Sequence, residues 1–394
     1  MIVAVTPNPA LDLTWHIAAL EPGSTHRADP GRARAGGKGV NVARVAHAQG
    51  AAACAVVTHG GATGEEFFAE LVASGVPHVT VPVRGATRRS IALVDEAAGD
   101  TTIVNERGVG LEDAEWDALR GVTRATLATD AESGLSRRVL VISGSFPPDT
   151  PHDVLPSLIA IGREAGVPVI VDTSGPALLT AADAGASVLK PNEHELREAT
   201  GLDDPIDGAR ELLRRGAELV LLSLGAEGML AVSSAEGGEP EPADAVARDT
   251  AELDAVRVLH ARLGRVLAGN PTGAGDAAVA ACAALMDAGV HDPEQILRRA
   301  TAWSAAAVLM PLAGEIHPSW PDLEAAVTIA PYASATDSAS ASASASASGE
   351  TSVPAGDMSQ DGTSHAGERV SPPASGSAAF DQAMSHAPDP KELR

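Results

Sequence analysis

Asp276 closes the run Asn270-Pro-Thr-Gly-Ala-Gly-Asp276 and is followed at once by small residues, Ala277 to Leu285. Gly273 and Gly275 let the backbone turn tightly and leave amides uncovered, so a helix starting here offers free N–H groups and a positive dipole end to an anion. A carboxylate beside such a nest repels phosphate if binding is its only task. It makes sense as a general base aimed at a hydroxyl that attacks the phosphate. The plain structural alternative is an Asp that stabilises the helix dipole beside turn glycines, and a lone G-x-G-D fits that at least as well. Upstream residues must decide.

Ala35-Gly-Gly-Lys-Gly-Val-Asn41 is a second Gly-rich loop, opening a helix expected over Val42–Gln49. It is not a phosphate-cradling Walker A loop, because the required first glycine would fall at Arg32 and Gly39 follows Lys38. Its amides, one ammonium and the Asn41 carboxamide suit sugar hydroxyls or a sugar phosphate; otherwise it is a turn before an ordinary helix. Asp12, just past the first strand, can accept hydrogen bonds from sugar hydroxyls or cap a turn. In Lys190-Pro-Asn-Glu-His-Glu195, Pro191 stops a strand, and the Asn192 to Glu195 spacing is that of a capping box. The functional alternative places Asn192 and Glu195 in the water shell of Mg2+, which needs few direct protein ligands. Ser223-Leu-Gly-Ala-Glu-Gly228 reads as a strand and a Gly-rich turn suited to a nucleotide's ribose or phosphates. Lysine occurs only at positions 38, 190 and 391, and two of these three fall in the motifs above. A lysine kept in an arginine-rich chain marks a site that wants a compact ammonium.

The elements that must position these residues follow from patterning. Short β-branched runs at Ile2–Val5, Ala52–Val57, Val139–Ser143, Val167–Asp172, Ser187–Leu189 and Leu219–Ser223 alternate with helical periods at Asn41–Gln49, Glu65–Ser74, Asp153–Ala165, Glu193–Thr200 and Ala209–Arg215. That rhythm predicts an α/β fold, a parallel sheet with helices on both faces, and ligands at the carboxyl ends of its strands. Asp172, Lys190, Ser223 and the 273–276 loop all emerge there. Segments 13–34 and 88–105 break the rhythm and read as a small separate sheet acting as a lid. A lid sheet has edges to cover, so a homodimer through it is expected by fold analogy. With 44% hydrophobic but only 2% aromatic residues, the core must be aliphatic, and the net charge of -24 argues against a nucleic-acid partner. No apolar run is long enough for a membrane span, and Cys54 and Cys282 in apolar runs suit a reducing cytoplasm. The folded unit is expected over 1–331, with a disordered Ala/Ser/Pro/Gly-rich tail over 332–394.

In this order, the motifs resemble the PfkB family of carbohydrate kinases, over about residues 1–330. Thr6-Pro-Asn-Pro-Ala-Leu-Asp12, Gly36 to Arg44, Ser143 to Pro148, Asp172 to Gly175, Lys190 to Glu193 and Ser223 to Gly228 are similar to the branch acting on phosphorylated ketohexoses, which includes 1-phosphofructokinase and tagatose-6-phosphate kinase. The resemblance implies a ribokinase-like three-layer αβα sandwich with a β-sheet lid, and transfer of phosphate from ATP, with Mg2+, to fructose 1-phosphate. It makes Asp276 the base and the Gly273, Ala274 and Gly275 amides the anion hole. Asp12, Gly37, Lys38, Asn41, Arg88 and Ser143 fall on the sugar phosphate. Lys190, Ser223, Gly225, Gly228 and Thr272 fall on the nucleotide, with Asn192 and Glu195 on the metal through water. Three departures stand out: a longer, acidic, Pro-rich and helical stretch over 232–268 at the nucleotide edge, no asparagine near Val308, and Ser90 where the branch often has Asn. Tagatose 6-phosphate and fructose 6-phosphate remain alternative substrates. A noncatalytic sugar-phosphate sensor is the alternative of another class, whereas a nicotinamide dehydrogenase is disfavoured because no G-x-G-x-x-G follows the first strand.

Overall fold

Alternating apolar strands and amphipathic helices can hide their faces only by stacking in layers, and the chain does so. The computed structural model describes residues 1–129, 137–235 and 255–332. The first half runs β1 (Ile2–Thr6), β2 (Ala10–Ile17), β3 (Arg32–Gly36), α1 (Lys38–Ala48), β4 (Ala53–His59), α2 (Gly61–Ala73), β5 (His78–Pro82), β6 (Arg88–Asp95), β7 (Asp100–Asn105) and α3 (Asp113–Thr129). Then come β8 (Val139–Ser143), α4 (Val154–Glu164), β9 (Val169–Asp172), α5 (Pro176–Asp183), β10 (Val188–Leu189), α6 (Glu193–Thr200), α7 (Pro205–Arg215) and β11 (Leu219–Ser223). The last part holds β12 (Met229–Ser234), β13 (Val256–Leu263), α8 (Ala274–Asp287), α9 (Pro293–Val308), α10 (Trp320–Ala326) and β14 (Val327–Pro331).

Ten strands make one sheet, in the order β14-β13-β12-β11-β10-β9-β8-β1-β4-β5. Side chains alternate across it with the strand period. Ile2 and Ala4 pack with α1, α8 and α9 on one face, while Val3 and Val5 pack with α3, α4 and α7 on the other. The result is a three-layer αβα sandwich. Helix α8 buries Ala277 to Ala283 completely, and these short side chains let it lie close to α1 and α9. Such an alanine-rich layer replaces the aromatic packing that the composition does not supply.

The sheet is parallel from β11 to β5, as expected, but β12, β13 and β14 join antiparallel at one edge. Stretch 232–268, read as helical, therefore contains strand β13, because pairing with both β12 and β14 overrides the helix propensity of Leu, Ala and Arg. Its residues 236–254 lie outside the described residues, as does the expected tail beyond Tyr332. Ser234 and Val256 face each other at one end of the β12–β13 pair, and Met229 and Ala261 at the other.

Segments 13–34 and 88–105 contribute to a second sheet, in the order β3-β2-β6-β7. Strands β6 and β7 form a hairpin around Gly99 whose turn is braced by Asp95 Oδ1, which accepts from the N–H groups of Ala97 and Ala98.

Gly228 links β11 to β12 with φ of +97°, and a Cβ there would lie 2.1 Å from the Ala261 carbonyl oxygen. Gly228→Ala is expected to melt roughly 3–10 °C lower than the parent in calorimetry, from backbone strain plus the clash.

Candidate active site

The carboxyl ends of the parallel strands and the N-termini of α1, α6 and α8 converge on one open cleft of about 1240 Å3, with Asp12, Arg88, Ser90 and Asn105 of the second sheet on its far wall. Helix α1 begins at Lys38 rather than Val42, because Gly37, at φ of 117°, already serves as its N-terminal cap position. Lys38 and Asn41 are thus both on the first helical turn and face the cleft.

Asp276 lies on the first turn of α8, behind Gly273 at φ of 86°, and is 6% exposed. Asn41 Nδ2 donates to its Oδ2 at 2.8 Å, joining α1 to α8. Burial pushes the Asp276 carboxyl up to about 7, and the nearby Asp172 adds to this, against Lys38, the Asn41 hydrogen bond and Lys190. A base of that strength suits neutral pH. The Gly273 and Gly275 amides have no hydrogen-bond partner among the described residues. Ala274 does not join them freely, for its N–H reaches the Pro271 carbonyl at 3.2 Å. Thr272 lines the cleft, with its own N–H held by Asn270 Oδ1 at 3.0 Å.

Lys38 and Lys190 meet on a residue to which the sequence assigned no role. Their Nζ atoms lie 3.4 and 3.6 Å from the same oxygen of Asp172, Oδ1. Ser143 Oγ donates to the other oxygen, Oδ2, at 3.2 Å. Burial works to raise Asp172, but the two ammonium groups and these hydrogen bonds outweigh it and hold the carboxyl below its usual range. Asp172 in turn is the largest cause raising the Lys38 ammonium, which stays charged. Ser143 is fully buried in this contact and does not line the cleft as expected of a sugar-phosphate ligand; its neighbours Gly144 and Ser145 do. The sequence marked Asp172 by its place at the carboxyl end of the apolar run Val167–Val171 and by the motif Asp172 to Gly175, without a task of its own.

At the lid end, Arg88 donates from Nε to the Asn8 carbonyl at 3.1 Å and from Nη1 to the Glu106 carbonyl at 3.2 Å. Asn8, also without a predicted role, reaches the Arg107 carbonyl at 3.0 Å and Ser145 Oγ at 3.3 Å. Asp12 pairs in register with Ser90, and burial lifts its carboxyl to about 6 against the pull of Arg88, Arg44 and Arg34. Arg88 and Arg107 line this end of the cleft, and Lys38 lines it further in, beside Asp172.

At the opposite end lie Ser223, Gly225, Gly228 and Val308, with Met229, Leu263 and Leu267 as apolar wall. A Cβ on Gly225 would meet nothing within 4 Å, so that turn is open to a ligand. Asn192 and Glu195 form the full capping box of α6: Glu195 N–H donates to Asn192 Oδ1 at 2.8 Å and Asn192 N–H to Glu195 Oε2 at 2.9 Å. Glu195 Oε1 remains, 3.8 Å from Lys38 Nζ. Among the described residues no three His, Cys, Asp or Glu side chains are grouped to hold a metal. This donor set fits Mg2+ held through waters and ligand phosphates rather than in a protein cage.

A sequence profile for pfkB family carbohydrate kinases matches residues 7–320. The chain belongs to that family. It is 37% identical over 312 residues to a 1-phosphofructokinase of Xanthomonas campestris pv. campestris, covering 77% of this chain and 89% of that protein. It is 35% identical over 240 residues to the ATP-dependent 6-phosphofructokinase isozyme 2 of Escherichia coli, covering 59% and 75%. Among solved structures, Escherichia coli phosphofructokinase-2 in complex with fructose-6-phosphate superposes with a TM-score of 0.68 at 28% identity, over 82% of this chain and 98% of that one. The tetrameric inhibited form of the same enzyme gives 0.69. The ribokinase-like fold and sugar-kinase activity of this chain follow. No helix among the described residues is long and apolar enough to cross a membrane.

Folding raises Asp276 from 3.8 to about 7, so the folded state binds the proton more tightly and loses stability as pH rises through that window. Asp276→Asn removes the ionisable group. The variant should melt above the parent at about pH 8, with the gap closing as pH falls towards 4; a gap that is the same at both ends would contradict the burial argument.

Proposed function

We propose that this kinase transfers the γ-phosphoryl group of ATP to the free primary hydroxyl of fructose 1-phosphate, giving fructose 1,6-bisphosphate and ADP. The observation that carries the reading is Asp276 at the head of α8, with the Gly273 and Gly275 amides beside it and Lys190 near Gly275. The named 1-phosphofructokinase relative supports the sugar phosphate. Fructose 6-phosphate is the second reading, favoured by the 6-phosphofructokinase relative.

Phosphoryl transfer asks a protein chiefly for alignment and charge neutralisation. Asn41 holds Asp276 Oδ2, leaving Oδ1 to take the hydroxyl proton as the sugar oxygen forms its bond to phosphorus and the bond to ADP breaks. The amides at the head of α8 and the Lys190 ammonium face the charge that develops. Lys38, Arg88 and Arg107 hold the phosphate already on the sugar, while Asp12 takes its hydroxyls. Asn192 and Glu195 would hold Mg2+ through water, where it would supply positive charge against the phosphates. Ser223, Gly225, Gly228 and Thr272 border the nucleotide. The cytoplasm, where thiols stay reduced, suits the buried cysteines Cys54 and Cys282.

We further propose a homodimer through the lid. Strand β7 is an edge, and Ile103 and Val104 on it are 44% and 54% exposed. Ile103→Lys should shift the protein to monomer in sedimentation; a parent that is already monomeric overturns the assembly.

ADP release should be fastest with fructose 1-phosphate among fructose 1-phosphate, fructose 6-phosphate, tagatose 6-phosphate and free fructose. Release with none of them leaves a sensor. In Asp276→Asn, kcat should fall at least ~100-fold without a matching loss of sugar-phosphate binding, and near-parental turnover removes the base assignment.

A further inference from the structure

Asn41 can help Asp276 only if its carboxamide points the right way. Its nitrogen and oxygen are close to the same size, and a flip would aim Oδ1 at the carboxylate and replace attraction with repulsion. Arg44, one turn along α1, settles the orientation. Its Nη1 donates to Asn41 Oδ1 at 3.2 Å, which leaves Nδ2 as the end that meets Asp276. Arg44 is 8% exposed, a cation set among Val42, Ala43, Val45 and Ala46 that are at most 1% exposed. Burial pushes its guanidinium down to about 10, with Arg34 acting the same way and Asp12, Glu315 and Glu70 opposing; it stays charged at neutral pH.

The other arm of Arg44 reaches the second sheet. Nη2 donates to the Ala35 carbonyl at 2.8 Å, and Ala35 lies on lid strand β3. Its β3 neighbour Arg34 pairs with Glu315 at 2.8 Å. Gly314 closes the pocket from the other side: a Cβ there would stand 2.9 Å from Asn41 Oδ1 and 3.0 Å from Arg44 Nη1. A planar, multidentate donor is what this junction needs, since one guanidinium meets two acceptors in different directions.

We propose that Arg44 is a positioning residue, whose guanidinium fixes the Asn41 carboxamide so that Nδ2 is donated to Asp276 and ties that contact to lid strand β3. The proposal rests on Asp276 being the base. Arg44 touches no reacting atom in this scheme. It holds the proton acceptor in its working form whenever β3 is seated on α1. The groups facing Asp276 are Lys38 and Asn41 from α1, Asp172 at the end of β9 and Lys190 after β10, and only Asn41 of these is held by Arg44.

The experiment is a double-mutant cycle on the full chain with Arg44→Met and Asn41→Ala, read by kcat, KM and the pH profile. Arg44→Met should lower kcat at least ~10-fold and move the acid limb of kcat/KM up by about one pH unit, as loss of a hydrogen bond to an ionised carboxylate does. Added to Asn41→Ala, it should do little more. Full additivity of the two changes, or an unmoved acid limb, overturns the proposal. If Arg44→Met does not fold, Arg44→Lys serves: it keeps the charge but puts its donors on a single nitrogen that cannot span both acceptors, so an unchanged acid limb in that variant also overturns it. Turnover retained by Asp276→Asn would instead sink the base assignment beneath it, and the two failures are distinct.

Discussion

One buried carboxylate oxygen with two ammonium groups around it organises this molecule. Asp172 sits at the end of β9, Lys38 comes from α1 and Lys190 from the segment between β10 and α6, and Ser143 of β8 completes the set. A carboxylate removed from water is costly unless paired and hydrogen-bonded, and here the pairing is what fixes three elements to each other. The knot also sets the chemistry next door. Because Asp172 is held ionised, its charge adds to the burial that makes Asp276 a stronger base, while the two lysines keep that base from being neutralised altogether. Removing either lysine would unbalance both carboxylates at once.

The aliphatic core makes this geometry reachable. A helix whose buried face is alanine can lie nearer to its neighbours than one faced with leucine or phenylalanine. With α8 drawn in against α1, the Asn41 carboxamide and the Asp276 carboxylate come within hydrogen-bond distance across two separate helices. Packing and the Asn41–Asp276 contact therefore use the same choice of small residues.

Much of this was legible in the residues. The strand-helix rhythm gave the parallel sheet covered on both faces, the segments that break it gave the small second sheet, and the glycine loops pointed to the cleft residues Lys38, Asn41 and Asp276, with Lys190 marked by the scarcity of lysine. What stayed hidden depends on how the elements meet in the folded chain. Strand β13 carries Leu, Ala and Arg, and only its partners β12 and β14 make it a strand. Ser143 was assigned to ligand through the family resemblance of Ser143 to Pro148, yet Asp172 claims its hydroxyl. Asn192 and Glu195 had two readings in sequence, and the capping box is realised while Glu195 still leaves one oxygen towards Lys38. Arg44 entered the sequence reading only as the end of the Gly36 to Arg44 motif, and its two acceptors, Asn41 and Ala35, are set by how α1 lies on β3.

The β12–β13 pair has an unequal pair of ends. Gly228 and Leu263 border the cleft, whereas Ser234 and Val256 meet about five residues away, roughly 17 Å along the strands at the usual rise. The long connection between them is thus attached at the end of the hairpin remote from the chemistry. Attachment points on that side of the sheet make the join between Ser234 and Val256 a natural port for grafting a reporter, a tether or a whole extra domain onto a working kinase.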